Sequence, residues 1–176
     1  MPSTSTSINS LRKSPVSEPP VVNASPLIYL AHADLFHLLQ LAGSLVRVPS
    51  IVAEEVRRRG PEDPTVRAIE ATAWLQEVKP EAISLQVSSW RLGPGETSVL
   101  SWAVLHPGCV VVLDDRAGRR CAEVLGIPMI GTLGLVLRAK RMGQISVARP
   151  LVERLREVGM YLADRVVEPA LRLVGE

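Results

Sequence analysis

VVVLDDRAGRRCAEVLGIPMI, residues 110–130, runs from an apolar segment through a charged helical segment into a second apolar segment. Val110 to Leu113 shows no polar alternation, as a strand covered on both faces requires, and parallel sheets are covered in that way. Helical spacing runs from about Arg116 to Leu125, with Gly126 as its C-terminal stop. Ile127 to Ile130 then reads as the next strand. Strand, helix and strand joined by short links make a crossover between parallel neighbours, which places helices on both faces of the sheet.

The same alternation extends towards the N-terminus. Val21-Val22-Asn23 is a short apolar strand, followed by Ser25 as a helix cap with Pro26 in the first turn. Asp34 is expected to cap a second helical run through Leu35, Leu38 and Leu39 to Gly43. Leu45 to Val48 is a second strand ended by Pro49-Ser50, and Ile51 to Arg59 is a helix stopped by Gly60-Pro61. Pro64 to Gln76, rich in Ala and Glu, predicts another helix, whereas Val78, Ile83, Leu85 and Val87 favour short extended pieces. Gly95 to Leu105 is a helix ended by His106-Pro107-Gly108, and further helices are expected around 133–142, 150–158 and 163–173.

Composition sets bounds on the molecule. With 176 residues, 47% hydrophobic and 22% charged, the chain has the size and balance of one globular domain. No apolar stretch approaches the roughly 20 residues of a membrane span, which excludes an integral helical membrane protein. A net charge of +2 is too small to indicate nucleic acid or a membrane surface; only local clustering can do so. Cys109 and Cys121 provide neither a disulfide framework nor a zinc-ligand spacing and read as reduced thiols of a cytoplasmic protein. Residues 1–20, rich in Ser, Thr and Pro, read as a disordered tail before a domain spanning 21–176. Pro15, Glu18, Pro19 and Pro20 stand where a signal peptide needs an apolar core, so secretion is not expected.

In open parallel sheets, ligands bind beyond the carboxyl ends of the strands. Asn23 closes the first strand, and Asp114 and Asp115 close the strand Val110 to Leu113. Glu96 opens the preceding helix, and Glu54 and Glu55 lie on the helix after Pro49. Carboxylates gathered in one crevice repel one another unless a cation intervenes, and hard oxygen ligands suit Mg²⁺ or Mn²⁺. Such a site can activate water for phosphodiester hydrolysis. Each residue also has a plainer reading: Glu96 favours a helix dipole, one of Asp114 and Asp115 caps a helix, and Glu54 and Glu55 are solvated.

VVNASPLIYL, VPSIVAEEV, GPGETSVLSWA and VVVLDDRAGRR, in that order, resemble the acidic motifs of the PIN-domain family of metal-dependent ribonucleases. GIPMIGTLGLVLRAKRMGQI and the ending LRLVGE resemble one uncharacterised subfamily of nucleic-acid-binding PIN proteins. The resemblance spans about residues 21–176. It implies a three-layer α/β/α sandwich with a parallel sheet of about five strands, Mg²⁺ or Mn²⁺ as cofactor, and RNA as substrate. It also implies the toxin half of a bacterial toxin–antitoxin pair, with an antitoxin protein as partner and a homodimer as the assembly. The family's second acid falls on Glu55, its third on Glu96 and its fourth on Asp115, with Asp114 beside it. Its polar residue beyond the first acid falls on Ser25. The first acid itself is Asn23 here, an oxygen ligand without charge, which implies weaker metal binding or reduced activity.

Arg116, Arg119 and Arg120 begin the helix after the acidic pair, where cations oppose the dipole, so they call for a partner: RNA phosphate, or Asp114 and Asp115. Arg57-Arg58-Arg59 ends its helix, where cations complement the dipole or meet phosphate. Gly131-Thr132-Leu133-Gly134 is a tight strand-to-helix turn that could also offer amides to an anion. The three histidines share no ligand spacing, and aromatics amount to only 3%, fewer than a binder relying on many stacked bases needs. Two readings therefore stand: a metal-dependent endoribonuclease, and a PIN-like nucleic-acid-binding or regulatory protein without efficient chemistry.

Overall fold

The apolar runs do form parallel strands. In the computed structural model, which describes residues 18–79 and 82–176, β1 (Val21–Val22) lies at the centre of a five-stranded sheet. It is flanked by β2 (Val46–Pro49) and β4 (Val111–Val112), and the edges are β3 (Leu75–Val78) and β5 (Met129–Ile130). Every neighbouring pair is parallel, with Val21 beside Arg47 and Val111, and Val112 beside Ile130. The expected tail falls largely outside the described residues; of its last members, Pro20 accepts a backbone hydrogen bond from Arg47 and Glu18 pairs with the Arg47 side chain.

Helices flank this sheet in the three-layer α/β/α order. One group comprises α1 (Ala24–His32), α3 (Pro64–Ala71), a 3₁₀ segment over Phe36–Leu41 and α7 (Thr132–Arg141). α5 (Pro94–Leu105) and α6 (Arg116–Val124) pack together as the other, and α2 (Ser50–Arg57) touches α1, α3 and α5. The chain closes with α8 (Arg149–Glu157) and α9 (Asp164–Arg172). Val21, Val22, Leu27, Leu30, Leu100, Leu113 and Leu135 are fully buried between these layers. Trp102 belongs to the same core, stacked on His106 at 4.2 Å with the Arg47 guanidinium 5.1 Å from its ring. Among the described residues, no helix is long and apolar enough to cross a membrane.

Several local expectations need correction. The helix begins at Ala24 with Asn23, not Ser25, in the cap position, because Asn23 is the last residue with extended backbone. Asp34 cannot cap the following run: its φ of 56° is left-handed, whereas an N-cap is typically extended. The helix expected over 64–76 ends at Ala71, and Leu75–Val78 is the edge strand beside β2. Its Gln76 and Glu77 are exposed, and polar or charged residues of this kind are what an edge strand carries to avoid pairing with other chains. Within 78–92, Leu85–Ser88 forms a single helical turn, α4, instead of an extended piece; Val87 is buried and Leu85 is left outside.

Asp63, which caps α3, holds the turn after α2 in place. Its Oδ1 accepts from the Thr65 backbone at 2.8 Å, and its Oδ2 lies 2.7 Å from Arg59 Nε and 3.2 Å from His32 Nε2. Desolvation pushes this carboxyl up, but the bonds from Thr65, Arg59 and His32 outweigh it and lower its pKa to about 2. Because the folded value lies below the ordinary one, the stabilisation is complete above about pH 4 and disappears as pH falls through about 2. Asp63→Asn is expected to lower Tm by about 2–4 °C at neutral pH. In melts recorded from pH 7 to pH 2, its deficit relative to wild type should close at the acid end. A constant deficit across that range would contradict this assignment.

Candidate active site at the carboxyl ends of the strands

The topology brings the first residue after β1 beside the first turn of α5. Asn23 is 2% exposed, and its Nδ2 donates to Glu96 Oε1 at 3.2 Å. Glu96 lies in the first turn of α5, where the helix dipole favours a carboxylate. The other end of the Asn23 amide, Oδ1, is buried without a hydrogen-bond donor. A Cβ placed on Gly95 would stand 2.9 Å from that oxygen and 3.1 Å from Glu55 Oε2. Gly95 therefore leaves open a cradle bordered by an unpartnered amide oxygen and a carboxylate, and even a methyl group would crowd it.

The two aspartates do not serve alike. Asp115 is the N-cap of α6, its Oδ2 accepting from the Gly118 backbone at 2.8 Å, and its side chain remains exposed at the rim of a cavity of about 430 Å³. Ser25, Glu96, Asp114 and Arg116 border the same cavity. Asp114 turns towards α7: Oδ1 accepts from the Thr132 backbone at 2.8 Å and Oδ2 from the Thr132 hydroxyl at 2.6 Å. Burial pushes the Asp114 carboxyl above its ordinary range, against the pull of the two Thr132 bonds and the Arg119 charge. Asp114 thus ties β4 to the start of α7. The sequence carried a signal for this in the Gly131-Thr132 turn, which offers one backbone and one side-chain donor.

A second cavity of about 410 Å³ opens between Glu54, Glu55, Arg58 and Glu96, so Glu96 borders both openings. Among the described residues, no three of His, Cys, Asp and Glu are gathered closely enough to hold a metal ion. Two glutamates and the Asn23 oxygen are the available donors near Gly95. That set suits Mg²⁺ or Mn²⁺, which bind through one or two carboxylates and complete their shell with water and substrate phosphate.

The three arginines of α6 divide similarly. Arg119 donates to the Leu113 carbonyl at 3.1 Å, fastening the end of the strand, and lies close to Asp114. Arg116 and Arg120 are exposed and form no ion pair among the described residues. Both line a third cavity, of about 530 Å³, next to the acidic one. Of the other cluster, Arg57 pairs with Glu77 at 2.6 Å and Arg59 with Asp63, leaving Arg58 facing Glu54 and Glu55. Sequence reading missed Tyr161, at the mouth of the acidic cavity, because nothing in the α8–α9 link indicates where that link packs.

A family model described as a PIN domain matches residues 19–176. No curated protein and no solved structure matches the chain.

Proposed function

The chain belongs to the PIN-domain family, a family generally associated with nuclease activity and divalent metal ions, and from that premise we propose that it is a metal-dependent endoribonuclease. The observation that carries the reading is the buried, donorless Asn23 Oδ1 facing the Gly95 cradle with Glu55, while Glu96 holds the amide from the other side. Asn23, Glu55 and Glu96 would hold the cation, which when bound supplies Lewis-acid stabilisation and an activated water for phosphodiester cleavage. Glu96 and Asp115 border the opening in which the reacting phosphate would lie, and the Ser25 hydroxyl can hydrogen-bond to it. The uncompensated guanidinium groups of Arg116 and Arg120 attract neighbouring phosphates, so binding should weaken with salt.

A second reading, an RNA-binding or regulatory protein without efficient hydrolysis, is favoured by one observation. The Asn23 N–H already neutralises part of the Glu96 charge through a hydrogen bond, and the amide brings no charge of its own to a cation. Asn23→Asp separates the two readings. It should increase the thermal shift produced by Mn²⁺, tighten Mn²⁺ binding by roughly tenfold, and raise cleavage of a mixed RNA panel in Mn²⁺ or Mg²⁺ but not in EDTA. If the variant binds Mn²⁺ tightly while neither protein cuts RNA, the binding reading replaces the nuclease. The narrower assignments, a toxin silenced by an antitoxin protein and a homodimer, are supported by the family resemblance. A cytoplasmic setting is supported by the two unpaired thiols, Cys109 and Cys121.

A further inference from the structure

Tyr161, in the link between α8 and α9, is 88% exposed, although its neighbour Met160 is buried. It stands at the boundary of two cavities. One is the acidic opening with Glu96 and Asp115; the other is a slot of about 410 Å³ with apolar walls from Leu133, Met160 and Leu162. The inner polar groups of the slot are Asp114 and Arg119. Gly131 keeps that pair accessible, since a Cβ there would stand 2.9 Å from both Asp114 Oδ1 and Arg119 Nη1. Asp114 and Arg119 also line the cavity that carries Arg116 and Arg120. A flat aromatic face, apolar walls, one acceptor and one donor group therefore adjoin both the acidic opening and a cationic surface.

We propose that this slot receives one unpaired nucleobase of the RNA strand, stacked on Tyr161, next to the phosphate held at the acidic opening. Beyond their bonds to Thr132 and to the Leu113 carbonyl, the Asp114 carboxylate keeps further lone pairs and the Arg119 guanidinium further N–H groups. A base can use these together with the apolar walls, which a free phosphate would not. The carboxylate accepts from ring or amino N–H groups, and the guanidinium donates to carbonyl or ring nitrogen. A base inside a duplex has both faces stacked and its Watson–Crick edge paired, so the slot selects single strands. Because Tyr161 is a single platform, it accords with a chain poor in aromatics. The inference rests on the ribonuclease reading and adds to it the residue that distinguishes single from double strands.

The test is fluorescence anisotropy of a labelled short single-stranded RNA, and of the same strand annealed to its complement, in EDTA so that nothing is cut. Wild type, Tyr161→Ala and Tyr161→Trp are compared, with cleavage in Mn²⁺ measured alongside. Loss of one base stack is expected to raise Kd for the single strand by about 5- to 100-fold, with Trp restoring it and the duplex unaffected. Equal single-strand affinities for wild type and Tyr161→Ala, or equal losses on duplex and single strand, would overturn the slot while leaving the nuclease intact. A wild-type protein that neither binds nor cuts RNA would overturn the ribonuclease reading itself. The side chain is exposed, so the alanine variant should melt with wild type, and matched melts confirm that the comparison is between folded proteins.

Discussion

Glu96→Gln should lower metal-dependent RNA cleavage by about 10²–10³-fold while leaving the fold intact. The substitution preserves size, and its amide oxygen can still accept the bond that Asn23 Nδ2 donates to Oε1 at 3.2 Å. What disappears is the charge. Glu96 borders both openings of the site, and with Asn23 in the first acidic position its charge has fewer substitutes than in a site built from four carboxylates. The effect should therefore fall on metal binding and rate together, measured as Mn²⁺ affinity and as initial cleavage rate at saturating RNA. Unchanged cleavage in a variant with unchanged Tm would remove Glu96 from the chemistry. It would also remove the reason for assigning the reaction to this crevice.

Asp114→Ala should destabilise the protein by about 2–4 kcal/mol, and Asp114→Asn by about half of that. Thr132 is fully buried, and Asp114 accepts from both its backbone N–H and its hydroxyl. Alanine leaves two buried donors unpaired, each costing roughly 1–3 kcal/mol. Asparagine keeps an oxygen for one of them and presents its NH₂ group to the other. Urea denaturation at neutral pH measures the difference. The comparison also separates the adjacent aspartates: Asp115→Asn, exposed and retaining an oxygen for Gly118, should alter activity with little loss of stability. Equal stability of Asp114→Ala and wild type would mean that Asp114 is not what anchors α7, and a role in the chemistry alone would return as its explanation.

Much of the fold was legible in the chain. Unalternating apolar runs at Val21–Val22 and Val110–Leu113 announce strands covered on both faces, and helical segments with clear stops lie between the strands. Order along the chain was enough to bring Asn23, Glu96 and Asp115 to one end of the sheet, because a parallel sheet places all its strand ends together. The strand Leu75–Val78 was not legible. Its residues favour a helix in isolation, and only pairing with Val46–Pro49 overrides that preference.

At the site, sequence determined which groups arrive, and tertiary structure decided what each of them does. Asp114 and Asp115 are adjacent and chemically identical, yet one is half-buried and bonded to Thr132 and the other caps α6 at the rim. Asn23 was visible as a missing charge, but not as an amide with one end bonded to Glu96 and the other left open. Tyr161 carried no signal at all until the α8–α9 link came to lie beside the acids. Local sequence specifies backbone conformation and a pattern of burial. The partner of a polar atom is set by what the rest of the chain packs within about 3 Å of it, and that depends on contacts between residues far apart in sequence.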